Sequence, residues 1–130
     1  MITFYKSEKF PNVMYYRTNG LVGLMEAKER NLYFTKYYSH LNDVIIVIDV
    51  GDDVVLSHKT AIREIAKSNE KYKDRIKAIH IIGLKGILKI FYRVYHKLLP
   101  TKSVEIILEK TREDVEETYH FSLESDFEKV

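Results

Sequence analysis

Cysteine is absent from the 130 residues, which excludes disulfide scaffolds, thiolate metal sites and cysteine nucleophiles. Long hydrophobic runs are missing too. No stretch approaches the roughly 18 uninterrupted apolar residues that a spanning helix needs. The amino terminus, MITFYKSEKF, lacks the apolar core of a signal peptide, so a cytoplasmic protein is expected. Net charge is scarce: 21 Lys and Arg stand against 19 Asp and Glu, leaving +2. Apolar residues at 45% and charged residues at 31% nevertheless suffice for a real core, and disorder is excluded. The length fits one domain, at roughly 100–200 residues per domain.

The small total conceals a segregation. Residues 1–66 balance 8 basic against 8 acidic side chains. Residues 67–102 carry 10 basic and 2 acidic ones, and residues 103–130 carry 3 basic and 9 acidic ones. A local +8 is therefore followed directly by a local −6. Such local fields govern association more than the sum does.

Hydrophobic period and turn chemistry divide the chain. Ile2–Tyr5 and Val13–Arg17 read as strands, the second stopped by Thr18-Asn19-Gly20. From Leu24 the period becomes helical, with Leu24, Ala27, Phe34, Tyr38 and Leu41 on one face and Asn31 as its polar exception. Glu26, Lys28, Glu29, Arg30 and Lys36 are expected around the rest. Val44–Val50 is a continuous β-branched run broken by Gly51-Asp52-Asp53, as for a strand covered on both faces. Ser57 reads as the cap of a second helix bearing Ala61, Ile62, Ile65 and Ala66. Ile76–Ile82 is a further strand, and Gly83-Leu84-Lys85-Gly86 turns into a helix from about Ile87 to Leu99, ended by Pro100. Val104–Leu108 is the last strand. Thr111 with Asp114 resembles a capping box opening a helix through about Tyr119. The order β-β-α-β-α-β-α-β-α implies an α/β fold with a largely parallel sheet of four to five strands and about four helices. The first strand is expected to pair antiparallel at an edge. Residues 1–121 form the single domain, and 122–130 an acidic, frayed tail.

This order, together with VMYYRTNG, VIIVIDV, HIIGLKGILKIFYRVYHKLLP and VEIILEKTREDVEETY, resembles the SpoIIAA-like branch of the STAS superfamily. The resemblance spans about Val13 to Tyr119. It implies a STAS fold and a non-catalytic, regulatory role in protein–protein interaction. Anti-anti-sigma members bind a kinase-like anti-sigma partner, and phosphorylation of a serine before the second helix breaks that contact. Their Asp-Ser-Ser-Gly is replaced here by Leu56-Ser57-His58-Lys59-Thr60. Ser57 stands at about the matching place, with Thr60 as its substitute. A simple cap remains the favoured reading of Ser57. The resemblance thus points to Asp52, Asp53, Ser57, His58, Lys59 and Thr60 as a partner-binding or switch surface. The partner would be such an anti-sigma factor or a second copy in a homodimer. STAS folds also resemble lipid-carrying CRAL-TRIO domains, so binding of a small apolar or anionic lipid-like ligand is the alternative.

Other patterns carry weaker chemistry. Lys85, Lys89, Arg93 and Lys97 recur every four residues and form one basic stripe, suited to an acidic protein or an anionic membrane surface. Nucleic acid is not expected, since binders usually carry a domain-wide basic footprint. The acidic tail is a candidate to fold over this stripe. Asp49, Asp52 and Asp53 could together hold Mg²⁺, but turn formation is the better reading. His40, His58, His80, His96 and His120 lack metal-ligand spacing, and His80 reads as a hydrogen-bonded, buried or half-buried residue. Neither a metal nor a cofactor is expected, and no enzymatic constellation is recognisable.

Overall fold

The run Val44–Val50 forms an interior strand of a sheet, as its unbroken β-branched character predicts. The computed structural model describes residues 1–56, 59–86, 89, 93 and 104–130. Their strands are β1 (Ile2–Lys6), β2 (Val13–Thr18), β3 (Leu21–Val22), β4 (Val44–Val50), β5 (Val55–Leu56), β6 (Ile76–Ile82), β7 (Glu105–Glu109) and β8 (Glu128–Lys129). Their helices are α1 (Leu24–Tyr37), α2 (Lys59–Lys71) and α3 (Arg112–Tyr119). The strand order is β7-β6-β4-β2-β1-β8, and β3 pairs with β5 in a separate parallel ribbon. β2, β4, β6 and β7 run parallel, while β1 is antiparallel to both β2 and β8.

Several expectations need correcting. The sheet is mixed and six-stranded, not a largely parallel one of four to five strands. Three helices lie in full within the described residues. The helix expected over 87–99 lies outside them except for residues 89 and 93. β1 does pair antiparallel, but β8 covers its outer side, so it is not the edge.

β8 belongs to the segment expected to fray. Phe121, Leu123 and Phe127 are buried in the core with Val13, Tyr15, Ile45, Val47, Ile82 and Val115. Phe127 meets the rings of Tyr15 and Phe121 edge-on, with centroids 5.5 and 5.3 Å away. Polar groups fasten the same turn. Asp126 Oδ2 accepts from the Ser122 amide at 2.8 Å, and Glu116 Oε2 accepts from the Leu123 amide at 2.7 Å. The acidic composition suggested a solvated tail, but its Leu123 and Phe127, with Phe121 just before it, close one face of the sheet. Asp126 pairs with Lys9 at 3.5 Å, and β8 lies at the edge opposite β7.

The other face packs under α1 and α2. Met14, Tyr16, Val44, Ile46, Ile76 and Ile79 meet Phe34 and Tyr38 there. Arg30, expected among the surface charges, is instead fully buried. Its position, three residues after Ala27 and four before Phe34, puts it on the stripe that faces inward. Arg30 Nη2 donates to Asn69 Oδ1 at 2.8 Å and Nη1 to Asn31 Oδ1 at 3.0 Å, while Asn31 Nδ2 donates to the Glu64 carbonyl at 3.0 Å. The polar exception on α1 is thus half of a joint that fixes α1 to α2.

Two predictions test this packing. Phe127→Ala is expected to cost about 3–5 kcal/mol of unfolding free energy, the usual scale for emptying an aromatic core site. Urea unfolding within about 0.5 kcal/mol of wild type would show the terminal segment to be dispensable. The second concerns alkaline pH. Burial raises the hydroxyl pKa of Tyr15, Tyr16 and Tyr38 above the ordinary 10.0. The unfolded chain therefore releases these protons first, and the fold binds more of them above pH ~10. Stability is whole below that pH and falls as pH rises from it through the folded-state values. Urea midpoints followed from pH ~8 to ~11.5, beside tyrosinate absorbance, are expected to fall; a flat profile would contradict the burial.

Candidate functional site

Register places a polar row on the face closed by α3. Arg17 on β2 pairs with Asp49 on β4, Asp49 with Ile82 on β6, and Ile82 with Glu109 on β7. One step back lie Tyr15, Val47, His80 and Ile107. Because side chains alternate along a strand, both rows face the same side. The first row lies at the carboxyl ends of the parallel strands, where open α/β sheets place ligands.

Asp49 is buried beneath two arginines. Arg112 Nε, on the first residue of α3, donates to Asp49 Oδ2 at 2.6 Å, and Arg17 Nε lies 3.5 Å from the same oxygen. Arg17 Nε also donates to the Tyr15 hydroxyl at 2.8 Å, and that hydroxyl donates to Asp49 Oδ2 at 3.4 Å. The Arg17 guanidinium sits over the rings of Tyr5 and Tyr15, at 5.0 and 5.7 Å. Burial would lower the Arg17 pKa, but the Tyr15 hydrogen bond and the surrounding negative charges raise it overall. A charged carboxylate is tolerable here because it is paired and hydrogen-bonded.

The other end of α3 is pinned by a histidine. His80 is buried, with Nδ1 3.0 Å from Glu109 Oε1 and Nε2 in hydrogen-bond contact with the Tyr119 hydroxyl. A carboxylate only accepts, so Nδ1 carries a proton, and in the neutral tautomer of that kind Nε2 accepts from Tyr119. Burial, then the Glu105 and Glu109 charges, raise the Tyr119 pKa. Between these two anchors Val115 enters the core. Thr111 and Asp114 form the expected capping box, with Thr111 N–H donating to Asp114 Oδ2 at 3.2 Å. The reading of His80 as a hydrogen-bonded residue agrees with this geometry.

The residues indicated by sequence divide into groups. Asp49 is separated from its expected companions: it faces the sheet, whereas Asp52 and Asp53 are exposed in the turn after β4. That turn is drawn against the end of β2, where Gly51 N–H donates to the Thr18 carbonyl at 2.9 Å. Lys59 is exposed at the start of α2, and Thr60 is half-buried beside it. Ser57 and His58 lie outside the described residues, as does Lys97. Lys85, the first member of the basic stripe, pairs with Asp52 at 3.2 Å and so joins the stripe to the turn. Lys89 N–H donates to the Lys85 carbonyl at 3.4 Å, and Arg93 is exposed. Among the described residues, no cluster of three or more His, Asp or Glu side chains could hold a metal. Among the described residues, no helix is long and apolar enough to cross a membrane. Arg17, Glu109, Arg112 and Tyr119 went unread as site residues, since their partners are remote in sequence.

No family model matches the sequence, and no curated protein matches it. Among solved structures, the fold is similar to that of an uncharacterized protein from the DUF3478 family of Shewanella loihica PV-4, described as SpoIIAA-like. The TM-score is 0.58, 82% of each chain is covered, and 15% of residues are identical. At that identity the likeness concerns the fold alone. The chain has the SpoIIAA-like α/β fold that its motifs resemble.

Asp49→Asn tests the anchor of α3. The substitution keeps the shape but removes the charge that two guanidinium groups share, with an expected loss of about 1.5–3 kcal/mol. Urea unfolding unchanged from wild type would mean that these ion pairs contribute nothing to the docking of α3.

Proposed function

We propose that this chain is a non-catalytic binding domain whose regulatory role is exercised by docking a protein partner. The observation that carries the reading is a group of exposed apolar side chains on the β3–β5 ribbon and on the helix α1 that follows β3. Leu21 and Val55, directly paired in the β3–β5 ribbon, are both exposed. Met25 and Leu32, seven residues apart on one stripe of α1, are 83% and 71% exposed. Single exposed apolar residues are ordinary, but a group on adjoining elements marks an interaction surface. Its surroundings identify the kind of partner. Exposed Lys28, Glu29, Asp52, Asp53 and Lys59 mix both signs, as the polar rim of a protein interface does. An anionic membrane would favour a basic rim instead. The same surface includes the turn that the SpoIIAA-like resemblance assigns to partner contact. His80 offers little to catalysis, since both ring nitrogens are engaged inside the fold.

A second reading has its own observation. A cleft of about 280 Å³ is lined by Lys6, Ser7, Pro11, Tyr33, Tyr37, Tyr38 and Val130. Aromatic walls with one cation suit a small amphiphilic anion, in keeping with the CRAL-TRIO alternative.

Partners recovered from the native cell, then purified, distinguish these readings. Leu21→Asp with Met25→Asp, or Lys59→Glu, is expected to weaken the partner at least about tenfold, the scale of a hot-spot side chain, with an unchanged amide spectrum. If the partner is a second copy, the same variants lower the sedimentation coefficient. Partners held equally by every variant would sink the proposed surface. An amphiphile retained in native mass spectra, with no protein partner, would favour the cleft.

A further inference from the structure

We infer that Arg17 and Arg112 form a binding site for a phosphate monoester, a role separate from the apolar docking surface. Both side chains spend the same atom on Asp49. Nε of each approaches one oxygen, Oδ2, at 3.5 and 2.6 Å, so the two guanidinium groups flank a single point. Neither uses a terminal nitrogen for a hydrogen bond to any described residue. Two forks therefore remain available, four terminal nitrogens in all, and the side chains are 31% and 49% exposed to solvent.

Order favours an anion there. Two guanidinium groups share one carboxylate at the carboxyl end of β2 and β4, so each keeps donors that Asp49 does not use. Asp114 does not compete for the arginines, because it accepts from the Thr111 amide in the capping box. Arg17 is already fixed by Tyr5, Tyr15 and Asp49, so little side-chain freedom remains to be lost on binding. Donors from two forks suit a tetrahedral oxyanion with several acceptor oxygens better than a two-oxygen carboxylate, which one fork satisfies. The shared chemistry is a phosphate monoester dianion, carried by a small soluble molecule or by a lipid headgroup.

The test follows the arginine Nε–H resonances of the intact chain by NMR during titration with sodium phosphate and with glycerol 3-phosphate. Sodium chloride at matched ionic strength is the control. A further arm uses phosphatidylcholine vesicles with and without phosphatidic acid. Saturable shifts of Arg17 and Arg112 are expected with the phosphates and not with chloride. Arg112→Gln is expected to weaken binding at least about tenfold, and Arg112→Lys, which keeps charge but not the fork, by a smaller factor. Binding of the soluble ester identifies a soluble ligand, whereas binding confined to phosphatidic acid vesicles identifies a headgroup. Equal shifts with chloride, or phosphate binding undiminished in Arg112→Gln, would overturn the site. Should Arg112→Gln unfold, the wild-type Arg112 resonance decides the matter: a saturable phosphate shift supports the site, and its absence overturns it.

Discussion

A sheet that grows in one direction through right-handed crossovers must collect its crossover helices on one face. β2, β4, β6 and β7 follow one another across this sheet in sequence order, and α1 and α2 accordingly pack together on the same side. The other face is left for whatever follows β7. That segment is short: an eight-residue helix and a turn leading to the two residues of β8. The closing segment therefore has to bury much apolar surface with few residues. Phe121, Leu123 and Phe127 supply it, each nearly inaccessible despite the charged residues between them.

The same constraint explains the polar groups on that face. An eight-residue helix with one fully buried apolar side chain, Val115, offers little hydrophobic area to hold it in place. Its two ends are tied instead by directional contacts: Arg112 to Asp49 at the first residue, Tyr119 to His80 at the last. Each contact carries a buried carboxylate or imidazole to a satisfied state, so the polar atoms orient the helix without being left unpaired. Hydrophobic area supplies the attraction, and the two tethers determine the position.

Much of the sheet and its helices was legible because period and turn chemistry are local signals. Val44–Val50, Ile76–Ile82 and the Thr111–Asp114 capping box all announce themselves within a few residues. What escaped was decided by distant partners. Arg30 occupies an inward position by spacing, but its charge argues for the surface until Asn69, 39 residues away, is brought beside it. Asp49 looks like part of a turn-forming acidic group, and only the register with Arg17 and the return of Arg112 reveal it as an ion-pair centre. β3, β5 and β8 have two residues each, too few for a period of two to show. Phe127 was hidden by its neighbours: Asp126, Glu128 and Lys129 make the segment polar on average, although one aromatic ring decides where it goes.

The charge segregation takes on a different meaning once these contacts are counted. Four of the nine acids in the acidic block help to build the closing face. Glu109 serves His80, Asp114 caps α3, Glu116 accepts from the Leu123 amide, and Asp126 accepts from the Ser122 amide beside Lys9. Such carboxylates are satisfied by local donors, so they contribute less to the outer field than their number suggests. The basic block is spent differently. Lys67, Lys77 and Arg93 are exposed and make no ion pair among the described residues, and Lys85 meets Asp52 only in an exposed pair, which is weak. Glu105, Glu113, Glu117, Glu124 and Glu128 are exposed as well, so the near-neutral total is a sum of charges of both signs at the surface.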